Sequence, residues 1–329
     1  MPRVSEQKSG LPPEVSVAMV TYNHERLIAQ AIESVMMQEV DFQVELVVGE
    51  DCSTDRTRSI VEDYARRYPN VIRALLPARN LGSQENSRVV VEACRGAYLA
   101  LLEGDDFWTD PHKLAKQVRF LAENPDCAMC FSDARVERLD ADYAVVEEKP
   151  LYGSPPPARV GFAEFVTGFF PPTAGCLLVN DRTALSPIYD GRLTCFAKTL
   201  VYCVLAGGKV AGFLPEVMAV YRVHPGGIFS AVSVEKQIQM SNGGLLPAWR
   251  YFSAPDQRQL FSARLADNYT VLAHDYLRRG QLPAFLKCYG CVLRYILLPP
   301  NAAGLRKFGA DHIQYGGRAV KKIFRWLKK

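Results

Sequence analysis

VSVAMVTYNHERLIAQAIESVMMQ, residues 15–38, decides the fold, because it reads as a strand running straight into a helix. Residues 15–23 are a compact β-branched run, as a buried strand requires. From residue 24 the period changes. Apolar residues then fall at 27, 28, 31, 32, 35 and 36, the stripe of an amphipathic helix.

The same alternation continues outward. VELVVGED (44–51) is a second strand, and TRSIVEDYARRYP after Ser53-Thr54-Asp55 is a second helix. Ser53 or Thr54 is the expected cap of that helix, with Asp55 beside it at the surface. VIRALLP (71–77) is a third strand, NLGSQENSRVVVEAC (80–94) a turn and helix, and AYLALLEGDD (97–106) a fourth strand ending in acid. A helix over 110–125 follows, then the strand-like CAMCFSD. Alternation of this kind predicts an α/β fold with a doubly wound, mainly parallel sheet. The pattern loosens over 139–173, which reads as surface loop, and AGCLLVN (174–180) is strand-like again. TLVYCVLAGG (199–208) is an apolar helix. Residues 209–223 read as a short strand, a turn and a second strand ending at His224. Beyond 232 the chain reads as helical. The expected organisation is a flexible lead-in over 1–14, a main domain over 15–231 and a helical C-terminal region over 232–329.

Composition narrows the function. The 329 residues carry 39 Lys and Arg against 35 Asp and Glu, a net charge of +4, too small a surplus for a dedicated nucleic-acid binder. No apolar run reaches the roughly 18–20 residues needed to span a bilayer. The N-terminus lacks the apolar core of a secretory signal. Nine scattered cysteines in so large a chain fit reduced, mostly buried thiols of a cytosolic protein. Their two C-x-x-C pairs, Cys127/Cys130 and Cys288/Cys291, lie too far apart in sequence for a usual zinc ribbon.

Ligands of open α/β sheets sit beyond the carboxyl ends of the strands. Those ends carry Thr21-Tyr22-Asn23, Glu50-Asp51, Asn80-Leu81-Gly82 and Glu103-Gly104-Asp105-Asp106. Three carboxylates within four residues repel each other unless a cation neutralises them. There is no G-x-G-x-x-G after the first strand and no P-loop, which argues against dinucleotide and P-loop chemistry. Strand-end acids suit a divalent metal held against a diphosphate, and a pyrimidine base whose N–H they accept.

Together, VAMVTYNHERLIAQAIESVMMQ, VVGEDCSTDRT, NLG, YLALLEGDDFWTDPHKLAKQV and the later EVMAVYRVHPGGIFS resemble family 2 glycosyltransferases of the GT-A fold. The resemblance spans roughly residues 15–125 and 174–230. It implies an inverting enzyme that takes a nucleotide-sugar, a UDP-sugar first, in surface glycan or polysaccharide synthesis. It implies Thr21, Tyr22, Asn23, Glu50, Asp51, Asn80, Gly82, Asp105 and Arg222 as the nucleotide pocket. It implies Glu103, Asp105, Asp106 and His224 around Mn²⁺ or Mg²⁺, and a glycan or lipid-linked acceptor.

One departure matters. The resemblance calls for a carboxylate before the helix at 199–208, to deprotonate the acceptor hydroxyl. Ala197 stands there. Three accounts are open: Asp190 is a displaced base, the chain binds sugar nucleotides without catalysis, or Ala197 is an engineered replacement. Finally, RAVKKIFRWLKK (318–329) is basic and amphipathic, suited either to packing on its own domain or to an anionic membrane surface. The expected location is the cytoplasm, peripheral at the membrane's inner face if that tail docks.

Overall fold

The computed structural model describes residues 3–6, 12–228 and 232–297. The basic tail at 318–329 lies outside the described residues. The chain divides into two compact units, one through Tyr251 and one from Phe252.

In the first unit the elements run β1 (Val15–Thr21), α1 (Ile28–Met36), β2 (Val44–Glu50), α2 (Thr57–Arg67), β3 (Ile72–Leu75), α3 (Ser83–Ala93), β4 (Tyr98–Glu103), β5 (Phe107–Trp108) and α4 (Lys113–Glu123). They continue with β6 (Cys127–Leu139), β7 (Val145–Pro150), β8 (Arg159–Val160), α5 (Phe162–Thr167), β9 (Cys176–Val179), α6 (Ser186–Tyr189), α7 (Ala197–Leu205), β10 (Val210–Val223) and α8 (Val234–Tyr251). The second unit holds α9 (Pro255–Arg278) and α10 (Leu282–Leu297), so α8 groups with the sheet and not with the helices beyond it.

One sheet has the order β3-β2-β1-β4-β9-β6-β10-β5, with β7 beside β6 and β8 beside β10. β1 to β4 are mutually parallel, and β6 is parallel to β10. β9 is antiparallel to both β4 and β6. Register aligns the carboxyl ends: Thr21 lies opposite Glu50 and Val20 opposite Glu103. β2 is buried at every position, Glu45 and Glu50 included.

Three regions differ from the sequence reading. Residues 210–223 form one continuous strand, not two with a turn. Pro215 cannot donate to the ladder, so the strand shifts register between Leu214 and Val217 and continues. The stretch over 139–173, read as loop, contains β7, β8 and α5, with Tyr143 at the β6–β7 turn in the left-handed region (φ 64°). Within the expected flexible lead-in, Val4 is fully buried and its N–H donates to the Gln38 carbonyl at 2.9 Å.

A buried polar network supports the wall of the site. Lys113 Nζ donates to Gln117 Oε1 (2.6 Å), Gln117 Nε2 to the Gly175 carbonyl (2.7 Å), and Trp108 Nε1 to the Ala174 carbonyl (2.8 Å). The ammonium of Lys113 also lies 4.3 Å from the Trp108 ring centre. These bonds fix the turn at Thr173, whose side chain reaches Glu103.

Gly104, just after β4, packs closely against the end of β1. A Cβ there would lie 2.6 Å from Thr21 Oγ1 and 2.9 Å from Ile28 Cδ1. Gly104→Ala is therefore expected to cost about 1–3 kcal/mol. Gly153→Ala, where nothing lies within 4 Å, should stay within about 0.5 kcal/mol of the parent. Urea unfolding of both variants checks the contrast.

Candidate active site

The loops after β1, β2 and β3 hold each other through side-chain-to-backbone bonds. Asn23 sits at φ 55° and accepts the Thr54 N–H on Oδ1 at 2.9 Å, while its own N–H donates to Ser53 Oγ at 2.9 Å. Asp55 accepts the N–H of Thr57 (2.9 Å) and of Glu25 (3.1 Å). Asp55 is thus the residue that satisfies the start of α2, in place of the expected Ser53 or Thr54; a carboxylate can accept from two donors where a hydroxyl serves one loop. Asp51 accepts the Leu81 N–H at 2.6 Å and the Gly82 N–H at 3.0 Å, and Asn80 Nδ2 donates to the Asp51 carbonyl at 2.8 Å. Gly82 has φ 84°, which a side chain would strain. Glu50 is fully buried and closes its own turn by accepting the Ser53 N–H at 2.7 Å. Tyr22 is exposed beside these loops.

The acidic turn after β4 separates its three carboxyls. Asp105 Oδ2 lies 3.1 Å from His224 Nε2 and 3.8 Å from His24 Nε2. The two imidazole rings meet edge to face at 5.8 Å. Thr21 Oγ1 lies 3.2 Å from His24 Nδ1, which orients that ring. Burial would raise Asp105, but the His224 hydrogen bond and the charges of His24 and His224 outweigh it and hold the carboxyl below its usual value. Burial, then the Asp105 charge, push Glu103 up to about 8. Burial and both neighbouring acids push Asp106 well above the ordinary range, although its Oδ1 accepts the Arg222 N–H at 2.8 Å. The repulsion among the three carboxyls therefore favours the protonated forms of Glu103 and Asp106 and the ionised form of Asp105.

Among the described residues, the group of ligand-type atoms lying within 4.8 Å of one another is His24, Asp105 and His224. It overlaps the expected metal set at Asp105 and His224, and does not include Glu103 or Asp106. His24 was absent from that set. Its signal was its place one residue after the first strand-end cluster, in TYNH. Burial lowers the His24 pKa, which favours the neutral imidazole that can ligate. Asp105 Oδ1 and His224 Nδ1 are buried without hydrogen-bond partners. A divalent cation fits these donors, which suit Mn²⁺ better than the oxygen-seeking Mg²⁺.

Arg222 differs from its expected place in the nucleotide pocket. Its guanidinium is buried, donating to the Asp105 carbonyl (3.1 Å) and to Gln30 Oε1, stacked 4.2 Å over Phe107, and 3.9 Å from Glu137. It supports the acidic turn from beneath.

One hollow reaches Gly82 and another reaches Glu103. The first, of about 500 Å³, lies between the start of α3 and the loop at 191–195, with Gly82, Glu85, Arg88 and Thr194 in its walls. The other, of about 60 Å³, brings Ala197 together with Glu103, Thr173 and Cys195. Cys195 lines both. Ala197 is the first residue of α7, where the first turn carries no acidic side chain. Asp190 lies instead in an exposed pair with Arg192 (Nε to Oδ2 2.7 Å), and that hydrogen bond holds its carboxyl below the usual value. All nine cysteines are free thiols, seven of them buried.

Residues 16–156 match the family model "Glycosyl transferase family 2". An uncharacterized protein of Mycobacterium tuberculosis is 35% identical over 226 residues, covering 68% of this chain and 62% of that protein. The chain thus spans 62% of the length of that relative. An uncharacterized glycosyltransferase of Nostoc, alr2836, is 26% identical over 279 residues, or 82% of this chain and 84% of that one. Two solved structures share the fold. Staphylococcus aureus TarS 1–349 in complex with UDP-GlcNAc superposes with TM-score 0.60 at 17% identity, covering 86% of this chain and 81% of that one. The mannosyltransferase PcManGT of Pyrobaculum calidifontis, in complex with GDP-Man and Mn²⁺, has TM-score 0.53 at 19% identity, covering 96% of this chain and 84% of that one. No helix of the described residues is long and apolar enough to cross a membrane.

The Glu103 shift has a sign that can be tested. Its folded pKa is raised, so deprotonation between the ordinary carboxyl value of 4.5 and about 8 favours the unfolded chain. Glu103→Gln, an uncharged near-isostere, should leave the melting temperature unchanged near pH 4.5. In chelator it should then raise it by an amount that grows with pH up to about 8. Melting curves across that range check it; a constant difference at all pH values would contradict the assignment.

Proposed function

We propose that this chain, a member of glycosyltransferase family 2 through its residues 16–156, transfers a sugar from a nucleoside-diphosphate donor to an acceptor hydroxyl with inversion. The observation that carries the reading is the convergence of His24, Asp105 and His224 at the carboxyl edge of the sheet. These three side chains would hold Mn²⁺, or less well Mg²⁺. When bound, the ion supplies positive charge to the diphosphate that leaves.

The remaining roles fall to this chain's own groups. The loops of Thr21, Tyr22 and Asn23, of Glu50 and Asp51, and of Asn80 and Gly82 shape the nucleotide pocket. Asp51 sets that pocket by fixing the backbone at 81 and 82, and its remaining lone pairs take a base N–H. Glu103 and Asp106 line the acidic turn with raised pKa values, so Asp105 is the carboxyl that most readily presents negative charge to the cation. Arg222 acts through the Asp105 backbone. The cavity of about 500 Å³ is large enough for a sugar ring, with Arg88 and Glu85 as polar contacts. UDP is the favoured nucleotide, and TarS, with UDP-GlcNAc, supports that choice. A polymeric or lipid-linked glycan is the favoured acceptor, which would bring the enzyme to a membrane surface.

A second reading has its own support. Ala197 lines the hollow beside Glu103, where a base belongs, and carries no proton acceptor. The chain would then bind sugar nucleotides and transfer slowly or not at all. Asp190, exposed and paired with Arg192, is poorly placed to substitute.

Calorimetry separates the parts. UDP should bind more tightly with Mn²⁺ than with chelator, and Asp105→Ala should remove the gain. His24→Ala should weaken Mn²⁺ binding even without nucleotide. Equal UDP affinity in Mn²⁺ and chelator would overturn the metal reading.

Ala197→Asp should raise transfer about 10²–10⁴-fold, the usual contribution of a placed base, with donor affinity nearly unchanged. Asp190→Asn should leave transfer as it was. Loss of transfer in Asp190→Asn, with no gain in Ala197→Asp, would assign the base to Asp190.

A further inference from the structure

Helix α10 has two unlike faces. Phe285, Cys288, Val292 and Tyr295 are buried, with Tyr295 stacked on Tyr269 of α9 at 5.9 Å. On another face Leu282, Leu286 and Leu293 are 40%, 58% and 42% exposed. Their spacing, with exposed Gly290 between, draws one apolar line along the helix. Lys287 and Arg294, both exposed, stand directly after Leu286 and Leu293. No Asp or Glu occurs anywhere in α10.

Charge identifies what this face meets. Residues 280–329 contain ten Lys and Arg and one Asp, a charge of +9, although the whole chain is only +4. The first 279 residues therefore carry −5, and the basic surplus is confined to this end. A second copy is a poor partner, because a two-fold contact would set Lys287 and Arg294 against the same cations. The helix has 16 residues, about 24 Å of rise, too short for a bilayer core of about 30 Å. A short helix with exposed leucines, flanking cations and no carboxylates suits an interface.

We propose that α10 docks on an anionic lipid bilayer. The leucine line enters the boundary between headgroups and acyl chains, and Lys287 and Arg294 meet the anionic headgroups. The inference rests on the glycosyltransferase reading only for its purpose, delivery of a lipid-linked acceptor; the binding itself is a separate property.

The test uses the full chain and sedimentation with phosphatidylcholine vesicles, with and without phosphatidylglycerol. The chain is expected to sediment with the anionic vesicles only, and less in 1 M salt, where the screening length shrinks to about 3 Å. The double variant Leu286→Asp/Leu293→Asp should lower partitioning at least about tenfold. The milder Leu286→Ser/Leu293→Ser should give a smaller loss in the same direction. Unchanged partitioning of both variants would overturn the proposal and leave the basic residues beyond 297 as the whole cause. Equal binding to pure phosphatidylcholine would also overturn it. So would light scattering that shows a wild-type dimer, lost in the variants, with no vesicle uptake. Calorimetry of UDP with Mn²⁺ reads the enzyme hypothesis separately: failure there leaves the vesicle result standing, and intact binding in the variants shows that the first unit is folded.

Discussion

Asp106 accepts the backbone N–H of Arg222 at 2.8 Å, in the protein interior, and the site depends on that bond. Arg222 returns the contact through its guanidinium, which donates to the Asp105 carbonyl at 3.1 Å. The two bonds clamp the end of β10 to the turn after β4. They fix the backbone two residues before His224, whose Nε2 then lies 3.1 Å from Asp105 Oδ2 across 119 residues of sequence. A buried hydrogen bond of this kind contributes about 1 kcal/mol net, but leaving one of its partners unpaired costs about 1–3 kcal/mol. The clamp therefore acts more by making other placements of β10 expensive than by its own strength. Asp106 is held for this structural task, which explains why an acid in the motif stands outside the His24–Asp105–His224 group.

The parallel half of the fold was legible because β1, β2 and β4 are apolar runs between one-sided helices, and local pattern dictates that arrangement. The late strand was misread at Pro215, where a missing N–H looked like a break and is a shift of register within one strand. At the site, the strand-end loops and Asp105 could be found from sequence, since position after a strand is a local property, whereas His224 came in through the family resemblance. His24 was passed over because it follows Asn23 at the point where the strand pattern yields to the helix. Its meeting with Asp105 depends on how β1 and β4 align. Arg222 was assigned by its charge. One of its partners, Gln30, lies 192 residues away, and no local pattern carries that pairing.

Electrostatics explains how so acidic a turn can be preorganised before any cation arrives. If all three carboxyls were ionised, each would destabilise its neighbours in a poorly solvated turn. The structure divides the burden unequally. Asp105 has two imidazoles and remains anionic, while Glu103 and Asp106, with weaker partners, are pushed toward protonation. A cation would then meet one strong ligand charge and two imidazoles rather than three competing carboxylates. Such a set sacrifices attraction for Mg²⁺ and gains selectivity for ions that accept nitrogen.

The same reasoning bears on Ala197. It opens α7, whose first-turn amide groups have no acidic side chain near them, and it faces the hollow that also holds Glu103. A carboxylate at a helix start is favoured by the exposed N–H groups, typically by 0.3–1 kcal/mol. That favour lowers its pKa and weakens it as a base. A hydrogen bond donated by Glu103 in its protonated form would lower it further. The helix start therefore favours an acid at this position on electrostatic grounds. In the proposed reaction the consequence is chemical: Ala197 offers the acceptor hydroxyl no proton acceptor, which leaves Asp190, water or a group of the acceptor itself to take the proton.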